Sequence, residues 1–237
     1  QGPMVPRIFG EYEPIRRDYP ISEYRADVEP VGITKSVYVQ TNWPLERVVD
    51  EVRWVQAVAD ETGWPHAIVG SADLLDDGCA AVFAEQARIS PLMRGTRLQL
   101  HWHENPQYRY APVPDQMHDP AFRRNLARIA DYGWLFELQV FAGQMADAAR
   151  LAADFPGIPF VLIHAGMLTG DDQATVAAWR HLRRGARARQ HAPYVERQSQ
   201  MHRRTGRKIS IVDGPAQVRQ DTVIDAYAHG LNGVQKI

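Results

Sequence analysis

Strand-like and helix-like segments alternate along most of this chain, and this alternation limits the fold more than any other feature. Short segments rich in β-branched, aromatic or alternating apolar residues predict five strands, at Lys35–Gln40, Ala67–Ala72, Gly95–Trp102, Trp134–Phe141 and Pro159–His164. Helical spacing of apolar residues predicts helices at Ile21–Val28, Leu45–Thr62, Asp77–Arg88, Pro120–Tyr132, Gln144–Phe155 and Asp171–Leu182. Such alternation is typical of a parallel sheet with right-handed crossovers, so the fold class is α/β.

Two parallel architectures fit these spacings, a (β/α) barrel and a doubly wound sheet. Neither a G-x-G-x-x-G sequence nor a P-loop follows a predicted strand, so a nucleotide-binding fold loses support. Polar residues instead stand at the strand ends, namely Gln40, Ser71, Gln139 and His164. A barrel gathers strand ends into one cup, whereas a doubly wound sheet spreads them along an edge.

The third predicted strand carries the most informative side chains. Alternation along a strand places Arg97, Gln99, His101 and His103 on one face, and Leu98, Leu100 and Trp102 on the other. A face of Arg, Gln and two His is costly to bury unless it lines a wet pocket. The sequence therefore predicts a functional pocket at the carboxyl end of this strand.

The residue types suggest roles in that pocket. A guanidinium matches a carboxylate in bidentate geometry, so Arg97 is predicted to bind an anionic group, and His101 or His103 to move protons. On the fourth strand, Glu137 and Gln139 point inward if Arg97 does. Glu137 then either orients a histidine or a water, or forms a salt bridge with Arg97.

Composition excludes several classes of protein. Cys79 is the only cysteine among 237 residues, so a disulfide framework is excluded, and we expect this thiol to fill space inside a helix. No apolar run approaches the roughly 20 residues of a membrane span. The N-terminal Gln1–Met4 lacks the apolar region of a signal peptide. We expect a cytoplasmic protein without a membrane partner.

Charge divides the chain into two unlike parts. Residues 1–179 carry 15 Lys/Arg and 24 Asp/Glu, whereas residues 180–237 carry 12 and 4. A basic segment can bind polyanions, but this one has a single aromatic residue, Tyr194, before Tyr227, and no recognisable binding motif. We therefore expect a small-molecule substrate and no nucleic acid, with a homo-oligomer as an open option.

Several short segments occur in a specific order and spacing, namely Ser36–Gln40, Val52–Val55, Leu98–His103, Phe122–Arg124, Phe136–Gln139 and His164–Met167. Together they resemble the amidohydrolase superfamily, in the amidohydrolase-related branch of sugar-lactone and 2-pyrone-4,6-dicarboxylate lactonases and metal-dependent hydrolases. The resemblance covers about residues 3–182. It implies a parallel (β/α)8 TIM barrel, in which the strand ending in His164 is the sixth.

The resemblance also implies a function. A lactone, or a related cyclic ester or amide, of a small carboxylate- or sugar-derived substrate would be opened by an activated water. The implied site has His164, His101 and His103 as catalytic residues, and Arg97, Gln99, Gln40, Glu137 and Gln139 as substrate-binding residues. His164 would also bind a divalent metal such as zinc, or no metal is used. The alternative is a truncated, inactive relative that only binds a small acid.

The sequence departs from the family pattern in two places. No strand ending in His-x-His precedes Lys35, and after Leu182 nothing resembles the last two strands. We therefore expect an incomplete barrel domain over residues 1–182, followed by an Arg-rich segment over residues 183–237. A shifted reading frame would explain the coincidence of the charge break with the end of the resemblance; the alternative is a genuinely encoded tail.

Overall fold

The five predicted strands form one parallel sheet, in which each strand pairs with the next along the chain. The structure is a computed structural model that describes residues 12–170, 173, 175–177 and 179–180. The strands are β1 (Val37–Val39), β2 (Ala67–Gly70), β3 (Met93–Gln99), β4 (Leu135–Gln139) and β5 (Phe160–Leu162). A doubly wound sheet would reverse its order at a switch point, and this sheet does not. The architecture is therefore a partial (β/α)8 barrel, as the sequence predicts.

Five α-helices accompany the described strands: α1 (Ile21–Val28), α2 (Val48–Thr62), α3 (Cys79–Ile89), α4 (Pro120–Ala127) and α5 (Met145–Asp154). Their ends follow local chemistry. Asp119 caps α4, because its Oδ1 accepts from the backbone N–H groups of Ala121 and Phe122 at 2.7 and 3.0 Å. Gly63 ends α2 in the left-handed region, with φ at 74°.

The two faces of the sheet are chemically different. The outward face packs against the helices in the main core, where Ile68, Leu98, Phe136 and Phe160 are joined by helical residues such as Phe83. We call the opposite face the inward face, and the amino-terminal side of the sheet its bottom. At the bottom, the inward face carries a small apolar cluster of Ala67, Val69 and Leu135, flanked by Val37, Val39 and Val161. Inward residues farther along β3 and β4 are polar, which is the arrangement that the strand pattern predicts.

The third strand is shorter at its carboxyl end than predicted. It ends at Gln99 rather than Trp102. The carbonyl oxygen of His101 accepts from the backbone N–H groups of Tyr110 and Ala111, at 3.0 and 3.1 Å, so the chain has already turned into a loop. Trp102 consequently leaves the apolar face, and the Arg109 guanidinium lies 5.1 Å from its ring centroid.

Part of the predicted organisation lies outside the described residues. The Arg-rich segment 183–237 and residues 1–11 belong to that part, and in the predicted helix Asp171–Leu182 the described residues are helical. Among the helices that the structure describes, none is both long and apolar enough to cross a membrane.

Gly95 is required where β3 and β4 approach at the bottom of the inward face. A Cβ atom at this position would lie 2.6 Å from Leu135 Cδ1 and 2.7 Å from the Leu135 carbonyl oxygen. We expect Gly95→Ala to lower the free energy of unfolding by roughly 1–3 kcal/mol, because the pair is overpacked. Urea denaturation measures this, with Gly143→Ala as control, since a Cβ there meets nothing within 4 Å. Equal effects of the two substitutions would contradict the packing argument.

Cys79 is a buried thiol in the main core, as the sequence predicts, and is 1% exposed. Burial, together with the nearby Asp73 carboxylate, raises the pKa of this thiol to about 12. Because the thiolate is the reactive form, we expect no alkylation of the folded protein by iodoacetamide at neutral pH, and complete alkylation in urea. Mass spectrometry of the intact chain reads both states, and rapid alkylation of the folded protein would contradict this placement.

Candidate functional site

Inward side chains of β3 and β4 form a ladder of pairs that changes character from bottom to top. The strand register pairs Gly95 with Leu135, Arg97 with Glu137, and Gln99 with Gln139. The next inward positions are His101 and Phe141, whose ring centroids lie 5.3 Å apart at an interplanar angle of 84°. The ladder therefore rises from an apolar pair through an ion pair and an amide pair to an imidazole–phenyl pair.

The ion pair lies within the fold. Glu137 Oε2 is 2.5 Å from Arg97 Nη2 and 2.6 Å from Arg97 Nε, and the Glu137 side chain is only 2% exposed against 18% for Arg97. The salt bridge with Arg97, one of the two roles predicted for Glu137, is therefore formed. One oxygen of the Glu137 carboxylate accepts from two nitrogens of the guanidinium, Nε and Nη2. The guanidinium has five N–H donors in all. Arg97 is thereby held rigidly, with donors left for an anionic or hydroxyl ligand.

The amide pair stands directly above the ion pair. Gln139 is buried, and its Nε2 donates to Met167 Sδ at 3.7 Å. Its Oε1 is also buried and has no hydrogen-bond partner among the described residues. An acceptor left in this state is costly unless a water or a ligand donates to it. Gln139, beside the half-buried Gln99, thus presents polar atoms suited to hydroxyl or carbonyl groups.

The His101 imidazole closes the top of the ladder. The side chain is buried, and its ring contacts the Phe141 ring and the Tyr110 ring, with the Tyr110 centroid at 5.8 Å. Leu100 points outward into the main core, so His101 continues the inward face of Gln99 by one step. A histidine enclosed by two rings above an ion pair is well placed to carry a proton at a defined position.

Two loops meet above the end of β2. The Tyr110 hydroxyl, in the loop after β3, donates to Asn42 Oδ1 at 3.2 Å, in the loop after β1. Asn42 adopts a left-handed conformation with φ at 63°, and its N–H donates to Gln40 Oε1 at 2.6 Å. Gln40 is buried, and this hydrogen bond from Asn42 uses its side-chain oxygen within the loop after β1. The loop contact partly covers the ladder, next to His101.

The buried carboxylate of Glu51 anchors the loop after β1 from below. Its Oε1 accepts from Thr41 N at 2.7 Å, from Thr41 Oγ1 at 3.1 Å and from the Tyr38 hydroxyl at 2.9 Å. Burial raises the pKa of Tyr38, so this hydroxyl stays a donor. The position of Asn42, and through it Tyr110, is therefore tied to α2.

The other two predicted site histidines, His103 and His164, follow the ends of β3 and β5. His103 is in the loop, where its Nδ1 accepts from Asn105 N at 2.9 Å and its ring contacts Phe141 with centroids 6.0 Å apart. His164 follows β5 in a short turn, is exposed, and has a left-handed φ of 50°. The prediction that His164 ends the fifth strand is corrected by two residues, since β5 ends at Leu162.

A catalytic zinc ion typically takes about three protein ligands. Among the residues that the structure describes, no group of three or more His, Cys, Asp or Glu side chains is arranged to hold a metal ion. These residues therefore do not by themselves fit the implied metal, and the ligand role of His164 stays a prediction.

Gln144 and Phe141 are site residues that the sequence patterns do not reveal. The Gln144 side chain, after β4, donates to the Leu100 carbonyl oxygen at 2.8 Å and accepts from Trp102 N at 3.1 Å. A glutamine three residues after the N-cap of a helical turn is part of a recognised capping pattern, and here Gln144 accepts from the N–H of the N-cap residue Phe141 at 3.2 Å. No local sequence pattern predicts the contacts of Gln144 with the loop after β3.

Comparison with known proteins gives a consistent result. The sequence model of the Amidohydrolase family matches residues 1–219, a range that extends past residue 182, where our sequence resemblance ends. The uncharacterized protein y4mH of Sinorhizobium fredii is 30% identical over 177 residues, which are 75% of this chain and 59% of that protein. The chain thus spans about three fifths of the length of this curated relative.

Solved structures share the fold. An amidohydrolase from Burkholderia multivorans, crystallised with bound zinc, superimposes with a TM-score of 0.62 at 24% identity, covering 74% of this chain and 57% of that chain. A crystal structure of a Burkholderia multivorans amidohydrolase with bound HEPES gives a TM-score of 0.61 at 24% identity, with coverages of 74% and 58%.

Glu137→Gln should destabilise the fold, because it leaves the Arg97 guanidinium without its carboxylate partner. We expect a loss of about 3 kcal/mol in the free energy of unfolding. Arg97→Met should cost a similar amount, and the double substitution clearly less than the sum of the two. Urea denaturation of the four proteins completes the cycle, with Asp77→Asn in the exposed Asp77–Arg124 pair as control. Additive losses would show that the two charges do not stabilise each other.

Proposed function

We propose that this chain, which belongs to the amidohydrolase family, takes part in the hydrolysis of a lactone, or a related cyclic ester or amide, of a small carboxylate- or sugar-derived substrate. The observation that carries the proposal is the inward ladder of β3 and β4. It combines a fixed guanidinium, two amides and one enclosed imidazole within a few residues of the strand ends. In barrel enzymes, active sites are built at the carboxyl ends of the strands.

Arg97 and the amide pair would bind the substrate. The guanidinium donors that Glu137 does not use can hold a carboxylate or a sugar hydroxyl. The Gln139 oxygen can accept from a hydroxyl group of the substrate, and the side-chain N–H groups of Gln99 can donate to the lactone carbonyl. Such donors stabilise the negative charge that develops on that oxygen during attack.

His101 would move the proton. Neutral imidazole accepts a proton from the water as its oxygen attacks the carbonyl carbon. The imidazolium then donates that proton to the ring oxygen as the carbon–oxygen bond breaks, which leaves a hydroxyl group and a carboxylic acid. The acid releases its proton to solvent, so the sum is the addition of one water molecule.

His103 and His164 have smaller parts in this proposal. His103 contacts the same Phe141 ring and can contribute to the mouth of the site. His164 remains a candidate for a metal ligand or for polarising a carbonyl, but no step above depends on it. A second function is binding of a small acid without turnover, for which the Arg97 donors that Glu137 does not use are also suited.

Purified protein should be tested on a panel of aldonolactones and of lactones bearing a carboxylate, with and without added zinc. A pH-stat detects the acid released. We expect His101→Asn to lower kcat by about 100-fold, a typical size for loss of a general acid–base group. Arg97→Lys should mainly raise KM for carboxylate-bearing lactones, because Lys lacks the planar fork.

His118→Asn is the matched control, since this histidine is exposed and lies in the turn before α4. Equal activity of the His101→Asn variant and the parent protein would refute the assignment of His101. Substrate binding by calorimetry without acid release from any lactone would favour the binding function.

A further inference from the structure

The hydrogen-bond ladder between β3 and β4 is interrupted one step below the mouth of the site. Leu100 N donates to the Gln139 carbonyl oxygen at 2.9 Å, in the ordinary parallel pattern. The next two bonds of that pattern would run from Phe141 N to the Leu100 oxygen and from Trp102 N to the Phe141 oxygen.

The side-chain amide of Gln144 takes the place of both bonds. Its Nε2 donates to the Leu100 oxygen at 2.8 Å, while its Oε1 accepts from Phe141 N at 3.2 Å and from Trp102 N at 3.1 Å. The amide is therefore inserted between the two chains at the point where they separate. It satisfies three backbone groups that would otherwise pair directly or turn to water.

The hydrogen bonds of the Gln144 amide lie on both sides of His101 along the chain. The carbonyl before His101 and the N–H after it both bond to Gln144, and the His101 carbonyl bonds to Tyr110 N and Ala111 N. On the facing chain, Phe141, whose ring lies against the imidazole, is held by the same amide. The Gln144 amide thus bonds to the backbone on both sides of the contact between imidazole and phenyl ring.

We propose that Gln144 is a positioning residue, which holds the ends of β3 and β4 apart and fixes the His101 imidazole above the Arg97 ion pair. The inference rests on the proposed function, because it assigns Gln144 to the histidine that moves the proton. Only an amide of this length offers a donor and an acceptor together. Glutamate keeps the acceptors alone, and methionine keeps only the length.

The first test compares Gln144→Met with the parent protein in steady-state kinetics. We expect kcat to fall about 10- to 100-fold, the size expected when a catalytic group is displaced by about 1 Å, while KM changes little. The pH profile of kcat should change in its His101-dependent limb. Gln144→Glu should lose less activity than Gln144→Met, because two of the three hydrogen bonds remain.

The second test does not use activity. Amide hydrogen exchange should become about tenfold faster at Trp102 and Phe141 in Gln144→Met, and stay slow in Gln144→Glu. Gln107→Met is the matched control, because Gln107 is exposed in the loop after β3, the loop that carries Trp102. If Gln144→Met does not fold, the Gln144→Glu variant alone tests the positioning role. When its Trp102 and Phe141 amides exchange slowly, its kcat must fall less than the kcat of His101→Asn.

The outcomes separate the two proposals. Faster exchange at Trp102 with unchanged kcat and unchanged pH profile would overturn the positioning role and leave the proposed function standing. If the parent protein hydrolyses no lactone, the proposed function fails, and NMR of the imidazole Cε1–H signals decides the positioning role. A shift of the His101 signal in Gln144→Met supports it, provided that the signal of His66, which directly precedes β2 at the amino end of that strand, is unchanged. An unchanged His101 signal overturns it.

Discussion

The ion pair between Arg97 and Glu137 fixes the register on which the rest of the site depends. Removing two charges from water is costly, and here the cost is offset only while both side chains stand on the same face at the same level. A slip of one residue between β3 and β4 would turn one of them into the apolar core between sheet and helices. The positions of His101 and Phe141 follow from this register, since both lie on the same face, two residues beyond the amide pair.

This dependence places the site in the best-supported part of the sheet. β3 and β4 each have a paired strand on both sides, whereas β1 and β5 are paired on one side only within the described residues. The ladder and Gln144 come from one continuous stretch, from Gly95 to Gln144. By contrast, His164 follows β5, the strand at one edge of the sheet that the structure describes. The inward ladder therefore requires less of the surrounding barrel than a site distributed over all strand ends.

Periodicity was sufficient to predict most of the described fold. Each of the five strands and each of the five α-helices lies within or overlaps its predicted segment. Side-chain alternation also predicts that Glu137 points inward if Arg97 does, and the salt bridge between them is one of the two roles that this leaves open. These features are local, or follow from the pairing of strands that are neighbours in the sequence.

The end of β3 could not be predicted from the sequence, because it is decided by distant groups. His101 and Trp102 continue the alternating pattern, yet Tyr110, Ala111 and Gln144 take their backbone hydrogen bonds. The hydrogen bond from Asn42 N to Gln40 Oε1 also depends on a distant group, because the left-handed Asn42 is hydrogen-bonded to Tyr110. Each of these contacts links residues that a periodic pattern treats as independent.

The pairing of Arg97 also limits how a substrate can be recognised. An unpaired guanidinium would attract any anion through its net charge, but the pair with Glu137 is neutral overall and acts mainly over hydrogen-bond distances. The remaining N–H groups keep their directions, and they can bind either a carboxylate or two adjacent hydroxyls. In the proposed function, the layer above would add to the selection between acidic and sugar-derived lactones. There the buried Gln139 Oε1 is an acceptor that suits a hydroxyl and disfavours a carboxylate, so we expect the amide pair to contribute to discrimination between the two substrate types.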